Sequence, residues 1–142
     1  MLSLIENVIA SKGFYQELLN PICKKYNLTE SEILILLYLA KYPKNDTASK
    51  IVNNWKLKKA VVSVSIHDLL ERGLLESSYQ DGNHRSIHLS ITDKGQRIIK
   101  EARKVEDKYF EILFDGFDDS DKKEFMNYLN RINENVINYS TK

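Results

Sequence analysis

A short basic segment near the middle of the chain carries residues whose types and spacing could bind a polyanion. Three lysines and no acidic residue lie between Lys56 and His67, and a fourth lysine lies a short distance upstream. The basic residues are Lys50, Lys56, Lys58 and Lys59. Lysine ammonium groups near DNA phosphates displace condensed counterions, which supplies affinity that falls steeply with salt. The segment predicts a phosphate-binding surface, and the alternative is a solvated basic helix face.

Polar side chains continue the same segment at helical spacing. The groups most able to reach base edges or phosphates are Ser63, Ser65 and His67. Lys59, Ser63 and His67 follow one another at intervals of four, so on a helix they share one face. The methyl groups of Ala60 or Val61 could touch a thymine methyl. This stripe predicts contact with a DNA groove, and a surface stripe without a partner is the alternative.

A polar turn spanning residues 80–85 lies between two segments of alternating apolar residues. Its Asp-Gly-Asn run favours backbone with positive φ, which is typical of a hairpin turn. At the tip of such a hairpin Arg85 can enter a DNA minor groove, with Asp81 steering or pairing it and His84 beside it. The alternative for Arg85 is a cross-hairpin salt bridge alone.

The single cysteine, Cys23, lies on an apolar stripe with Leu19 and Tyr26. A buried cysteine behaves as a small hydrophobe with a raised pKa, whereas a peroxide-sensing cysteine needs an accessible thiolate. The pattern therefore favours a structural role for Cys23 over a redox role.

No residue pattern in the sequence is typical of a metal site or a catalytic site. The three histidines have no Cys or Glu at ligand spacing with them. There is no glycine-rich phosphate loop, no nucleophile elbow and no Ser/His/Asp set at a spacing that suggests a shared site. We therefore expect a protein that is not an enzyme and that uses neither a metal nor a cofactor.

Length and composition fit one globular domain. The chain has 142 residues, of which 42% are hydrophobic and 29% charged, and its formal charge is only +1. Any phosphate-binding surface must therefore come from local segregation of charge. The longest apolar run, 33–40, is far shorter than the roughly 20 residues of a membrane span, and Glu6 interrupts the first apolar stretch. These features, with one cysteine, predict a cytoplasmic protein without a membrane partner.

Apolar periodicity and capping residues predict the elements that must position this chemistry. A helix is predicted over 4–26, where Pro21 either kinks it or begins a fresh helix. A second helix is predicted to begin at a capping box formed by Thr29 and Glu32 and to end near Pro43.

The basic segment itself has the spacing of a helix-turn-helix. Asp46 or Thr47 can cap a short third helix ending at Trp55, and a fourth is predicted over about 58–72 before Gly73 ends it. Only about three residues separate these helices, which is the length of the tight turn in this motif.

A hairpin and two long helices are predicted to follow. The apolar period changes from 3.6 to 2 over residues 75–79 and 87–91, which indicates two strands. Thr92 is the predicted N-cap of a fifth helix, and Asp118 or Ser120 that of a sixth. A winged helix-turn-helix of about sixty residues cannot bury the apolar stripes of these helices and of the first, so the surplus predicts a second subunit.

The order of these elements resembles the MarR family of transcriptional regulators over nearly the whole chain. The local matches are Leu28-Thr29, the block from Val62-Ser63 through Leu69-Leu70-Glu71-Arg72-Gly73-Leu74-Leu75, the acidic-to-basic wing from Asp81 to Arg85, and Leu89-Ser90-Ile91-Thr92-Asp93-Lys94-Gly95. The resemblance implies a mainly α (α+β) fold, a six-helix winged helix-turn-helix with a two- or three-stranded β wing. Within a single domain, 1–142, it implies a DNA-binding lobe over 28–95 and dimerisation helices over 1–27 and 96–142.

The resemblance also implies a function. It implies a homodimer that binds double-stranded DNA at a pseudo-palindromic operator and represses or activates transcription. It further implies a small-molecule effector bound between the dimerisation helices and the DNA-binding lobe. Phe14, Tyr15 and Tyr38 are candidates to line that crevice, and the alternative for each is plain core.

The sequence departs from the family pattern at four positions. Val64 stands where many members carry an arginine in the recognition helix, and Lys58 stands where a serine or threonine usually caps that helix. In the wing, His84 and Ser86 replace a second Asp and a further Arg. Two other functions stay open: a winged-helix module that binds a protein through the same surface, and a redox-sensing regulator centred on Cys23.

Overall fold

The computed structural model describes residues 1–80 and 82–141, and within them the chain forms six helices and a two-stranded antiparallel sheet. The helices are α1 (Leu4–Tyr26), α2 (Glu30–Lys41), α3 (Ala48–Trp55), α4 (Lys59–Glu71), α5 (Asp93–Leu113) and α6 (Asp119–Ser140), and the strands are β1 (Leu75–Gln80) and β2 (Asn83–Ile91). The chain divides into two compact units, residues 1–107 and 108–142. This element order confirms the predicted six-helix winged helix-turn-helix.

Local side-chain caps set most helix starts where the sequence predicts them. In α2 the Thr29 amide donates to Glu32 and the Glu32 amide donates to Thr29, each at 3.1 Å, which completes the capping box. Thr47 rather than Asp46 caps α3, and Asp118 caps α6. Pro21 does not begin a fresh helix, because α1 runs from Leu4 to Tyr26 with Pro21 inside it.

The core of the first unit is built around α2. A helix that is apolar on nearly every side must be surrounded by other elements, and seven of its twelve residues are buried. It contacts α1, α4 and β2. Fully buried side chains that complete this core include Ile51 of α3, Val62 and Leu69 of α4, and Ile98 and Ala102 of α5. The packing holds the two helices of the helix-turn-helix against one scaffold.

The wing is a two-stranded hairpin in the described part of the chain. β1 and β2 pair antiparallel with Leu75 opposite Ile91 and Ser77 opposite Leu89. One further backbone hydrogen bond, from the Leu89 amide to the Asp46 carbonyl at 2.9 Å, joins β2 to the segment before α3. This one bond does not extend the sheet, which has two strands among the described residues.

A close approach at the start of α5 requires glycine at position 95. A Cβ atom there would collide with the carbonyl of Leu74 and would lie 2.8 Å from Cγ2 of Ile91. The Thr92 hydroxyl accepts from the Gly95 amide at 3.2 Å and donates to the Gly73 carbonyl at 2.7 Å. This turn fixes α5 to the junction between α4 and β1.

Arg72, at the end of α4, fastens that helix to the end of α1. Its guanidinium donates to the carbonyl of Asn27 at 2.7 Å and also to the carbonyl of Tyr26. The last carbonyls of a helix have no partner within the helix, so a charged two-pronged donor satisfies them well. The contact sets the position of α4 relative to α1.

The second unit exposes an apolar helix face. Ring contacts join Phe114 to Phe117 and Phe125, with centroid distances of 5.4 and 5.5 Å. Every described residue of α6 is nevertheless exposed, including the apolar stripe of Leu129, Ile132 and Val136. Among the described residues no helix is both long enough and apolar enough to cross a bilayer.

Candidate nucleic-acid interface

The predicted basic residues lie in or beside the helix-turn-helix and are all exposed. Lys50 is in α3, and Lys56 is its C-cap residue, with a left-handed φ of 54° that turns the chain sharply. Lys58 is the N-cap of α4 and Lys59 its first residue. The tight turn therefore gathers three lysines at the N-terminal end of α4.

This end of α4 has no side-chain cap. Lys58 makes no capping hydrogen bond, because its side chain has no acceptor to offer the first amides of the helix. Those amides and the positive end of the helix dipole form an anion-binding arrangement, and the surrounding ammonium groups add to the positive potential. The sequence lacks a capping side chain at Lys58, and in the structure this leaves a basic helix terminus suited to a phosphate.

The two sides of α4 differ sharply in burial. Val62, Ile66 and Leu69 face the core, and Ser65 lies with them at 5% exposure. The prediction that Ser65 reaches DNA is therefore wrong, because the small Ser65 side chain packs on the core face of α4. Lys59, Ser63 and His67 are exposed as predicted and run along one flank of the helix.

The outward line of α4, opposite its core face, is partly apolar. At 100° per residue this line consists of Ala60, Val64, His67 and Glu71, and all four are exposed. Val64, at its middle, is 62% exposed. His67 lies 3.1 Å from the Glu71 carboxylate through Nε2, so these two side chains pair one turn apart.

The wing tip carries the predicted His84 and Arg85, both exposed. Gly82 has a φ of +70°, as the turn chemistry predicts, and the Asn83 side chain accepts from the Arg85 amide at 2.9 Å. The His84 ring packs at 62° on that of Tyr79, with centroids 4.7 Å apart. Asp81, the predicted partner of Arg85, lies outside the described residues.

A side-chain pair at the base of the wing was not found from the sequence. Nδ1 of His88 lies 2.9 Å from Oδ1 of Asp46, and the two side chains are only 15% and 20% exposed. Together with the Leu89–Asp46 backbone bond, this pair fastens β2 to the segment that leads into α3. No short-range spacing signals such a contact, because 42 positions separate its partners.

The three aromatic residues predicted for an effector crevice are placed differently from one another. Tyr38 is fully buried: its hydroxyl accepts from the Asn54 side chain at 2.9 Å, and its ring packs edge-on against Trp55. It has no surface to offer a ligand, which corrects that prediction. Phe14 and Tyr15 are half-buried in α1.

Open space does lie along α1 near Cys23. A groove of about 640 Å³ between α1 and the start of α2 is lined by Gly13, Gln16, Glu17, Leu19, Asn20, Cys23 and Glu30. Burial raises the pKa of the Cys23 thiol, and the nearby Glu30 carboxylate raises it further. The thiol is therefore held in its unreactive protonated form near neutral pH.

A carboxylate lies in the neighbourhood of Tyr15. Burial raises the pKa of Glu106, against the opposing effects of Lys41, Arg103 and a hydrogen bond with Tyr15.

Among the described residues no group of three His, Cys, Asp or Glu side chains is placed to hold a metal ion.

Comparison with known proteins gives a consistent result. A family profile described as transcriptional regulator SarA/Rot matches residues 17–102, which is more than half of the chain. The HTH-type transcriptional regulator BilQ of Clostridioides difficile (strain CD3) is 23% identical over 111 residues, covering 78% of this chain and 74% of BilQ.

Solved structures share the fold. A putative MarR family transcriptional regulator from Listeria monocytogenes, complexed with 26mer DNA, superposes with a TM-score of 0.85 at 18% identity, over 96% of this chain and 90% of that one. Staphylococcus aureus MarR in complex with salicylate and kanamycin superposes with a TM-score of 0.78 at 21% identity, over 94% and 90%. The predicted resemblance to MarR regulators is confirmed in the fold.

Proposed function

Because the chain belongs to the SarA/Rot family of transcriptional regulators, we propose that it is a sequence-specific repressor that binds double-stranded DNA as a homodimer. The observation that carries the proposal is the uncapped N-terminus of α4, surrounded by lysines and backed by a rigid core. The Listeria regulator of the same fold was solved with DNA bound, which supports the same use of the fold here.

The contacts divide by chemistry. Lys50, Lys56, Lys58 and Lys59 neutralise phosphates and supply affinity without sequence information. Ser63 and His67 on the exposed flank of α4 contact base edges or phosphates in the major groove. His84 and Arg85 at the wing tip enter the flanking minor groove, where narrow A·T tracts attract cationic side chains.

Dimerisation supplies the spacing of the two half-sites. Helix-turn-helix dimers place their recognition helices about 34 Å apart, one turn of B-DNA. The exposed apolar residues of α6, with Leu4, Ile5, Val8 and Ile9 of α1, provide apolar surface for a second copy of the chain. A pseudo-palindromic operator follows from the two-fold symmetry of such a dimer.

The proposal also includes regulation of DNA binding by a small molecule. Staphylococcus aureus MarR was solved with salicylate and kanamycin, and the groove along α1 offers an open site in this chain. A ligand there releases DNA only if it binds the DNA-incompetent conformation more tightly. Half-buried Phe14 and Tyr15 are not among the residues that line this groove and remain separate aromatic candidates on α1.

A mobility-shift assay in a salt series tests DNA binding. With the DNA upstream of the protein's own gene, the logarithm of the binding constant should fall linearly with the logarithm of salt concentration. Changing Lys56, Lys58 and Lys59 together to Gln should weaken binding to all duplexes. It should also make the fall with salt less steep by about five, since a dimer loses six lysines at about 0.9 each. A matched control changes Lys100, Lys104 and Lys108 of α5 to Gln; these lysines are also exposed, and the variant should keep the wild-type slope.

The same assay distinguishes the other functions. Absence of a shift, or a response indifferent to salt, would favour a module that binds a protein through this surface. Equal loss in the two lysine triples would show that net charge rather than the helix-turn-helix determines binding. Release of DNA by peroxide in the wild type but not in Cys23→Ser would establish the redox alternative.

A further inference from the structure

An apolar patch occupies the middle of the outward line of α4. Val64 is 62% exposed, and the exposed Ala60 lies one turn before it. Val61, 37% exposed, lies beside this line rather than on it. These side chains stay exposed to solvent among the described residues, whereas Val62, Ile66 and Leu69 on the core face of the same helix are buried. On a helix that faces solvent alone, these positions would ordinarily be polar.

The charged groups on the exposed side of α4 lie at the two ends of this patch. His67 pairs with Glu71 at 3.1 Å, which occupies the C-terminal end of the outward line. The lysines cluster at the N-terminal end, where phosphates are the matching ligand. A base pair directly opposite Val64 therefore meets methyl groups, whereas the Ser63 hydroxyl lies on the flank beside it.

Only one base presents an apolar group in the major groove. Thymine carries a C5-methyl group there, whereas guanine, cytosine and adenine present hydrogen-bond donors or acceptors. Valine and alanine side chains have no donor or acceptor, so they leave such polar edges unpaired. Ala60 and Val64 lie about 6 Å apart along the helix axis, a separation close to two base steps of B-DNA, about 6.8 Å.

We infer that Val64, with Ala60 beside it, recognises thymine methyl groups in the major groove of each half-site. The inference rests on the proposed DNA binding by α4 and adds the base that is recognised. In this view α4 distinguishes thymine from the other bases by packing of methyl groups. The other base contacts of α4 come from Ser63 and His67.

Deoxyuridine provides the test, because it differs from thymidine only by the methyl group. A random-sequence duplex library is selected on the full-length protein, and an enriched duplex is resynthesised with deoxyuridine at one thymidine at a time. At one or two positions in each half-site the wild type should bind about fourfold more weakly, the worth of one buried methyl group. Val64→Ala, which removes both Cγ methyl groups, should lose this discrimination at the thymidine that Val64 contacts and keep it at any thymidine that Ala60 contacts. Val64→Thr, which keeps one Cγ methyl group, should retain part of it.

Ile87→Ala is the matched control, since Ile87 is a branched aliphatic residue of β2, 46% exposed and outside α4. It should leave the thymidine-to-deoxyuridine ratio unchanged whatever it does to total affinity. Indifference of the wild type to every deoxyuridine, or unchanged discrimination in Val64→Ala, would overturn the inference while leaving DNA binding intact. Failure of the selection to enrich any duplex would instead reject the proposed function.

Discussion

At the scale of single residues, burial decides which polar groups are available for function. The thiol of Cys23 is half-buried beside the groove of α1, and its pKa is raised first by burial and then by Glu30. Thiolate is the reactive form, and an ordinary free thiol is already only about 3% ionised at pH 7. The folded protein should therefore hold Cys23 in a less reactive state than the unfolded chain does.

We predict that alkylation of Cys23 by iodoacetamide, measured by mass spectrometry, has a higher pH midpoint in the folded protein than in the protein unfolded by urea. The sign follows from the raised pKa. The unfolded chain ionises first as pH rises, so the contribution of Cys23 to stability is present at neutral pH and is lost through the alkaline range. Cys23→Ser supplies the unmodified baseline. A folded-state midpoint below about 8.5 would point to a thiolate sensor instead.

Residue types alone predict a site imperfectly. Lys59, Ser63 and His67 are exposed as the helical period indicates. Ser65, which lies midway between Ser63 and His67 in the sequence, is nevertheless buried. The polar character of serine suggests exposure, whereas the 100° step places it with Val62 and Leu69. Serine is small, and its hydroxyl can bond within its own helix, so its type predicts exposure less well than lysine does.

At the scale of elements, a partly buried side-chain pair helps to hold the wing. Asp46, before α3, meets His88 of β2 at 2.9 Å, and this contact joins the wing to the helix-turn-helix. Breaking it should change the angle at which Arg85 is presented while leaving the α4 surface intact. The contact therefore links the preference for flanking sequence to a residue remote from DNA.

We predict that His88→Ala lowers the free energy of unfolding by about 1–2 kcal/mol, the worth of a partly buried hydrogen bond to a charged group. Urea titration followed by circular dichroism measures this loss. The variant should also lose preference for A·T flanks while binding with an unchanged salt slope. Ser90→Ala, an exposed position of the same strand, is the control. A stable His88→Ala protein with wild-type flank preference would contradict this role.

Elements are predicted from sequence where their determinants are local. The capping boxes join residues three apart, and the hairpin turn is set by adjacent residues, so both can be recognised directly. The contacts that orient whole elements join distant residues. Arg72 reaches Asn27 across 45 positions, and Lys25 lies 2.7 Å from Glu101 across 76. A charge pattern cannot indicate which of many partners a residue meets at such separations.

At the scale of the whole molecule, the chain exposes apolar surface that its own core does not need. No residue of α6 within the described range is buried, although its apolar residues repeat at helical spacing. A substitution there should not disturb packing within the chain. It therefore separates assembly from folding, which a core substitution could not do.

We predict that Ile132→Glu, which places a charge in the middle of the exposed stripe, converts a dimer into a folded monomer. Burying an unpaired carboxylate between two helices opposes association strongly. Sedimentation equilibrium measures the change in mass, and circular dichroism checks that helix content is kept. Asn127→Glu adds the same charge on the opposite face of α6 and should remain dimeric.

DNA binding by the same variant tests whether assembly is what aligns two half-sites. Two linked lobes gain on the order of a hundredfold or more in affinity over one, because the second contact becomes intramolecular. The Ile132→Glu monomer should lose that gain on a palindromic duplex, yet bind an isolated half-site as the wild-type lobe does. A monomer with full affinity for the palindrome would show that each chain binds alone, and a persistent dimer would place the interface elsewhere than α6.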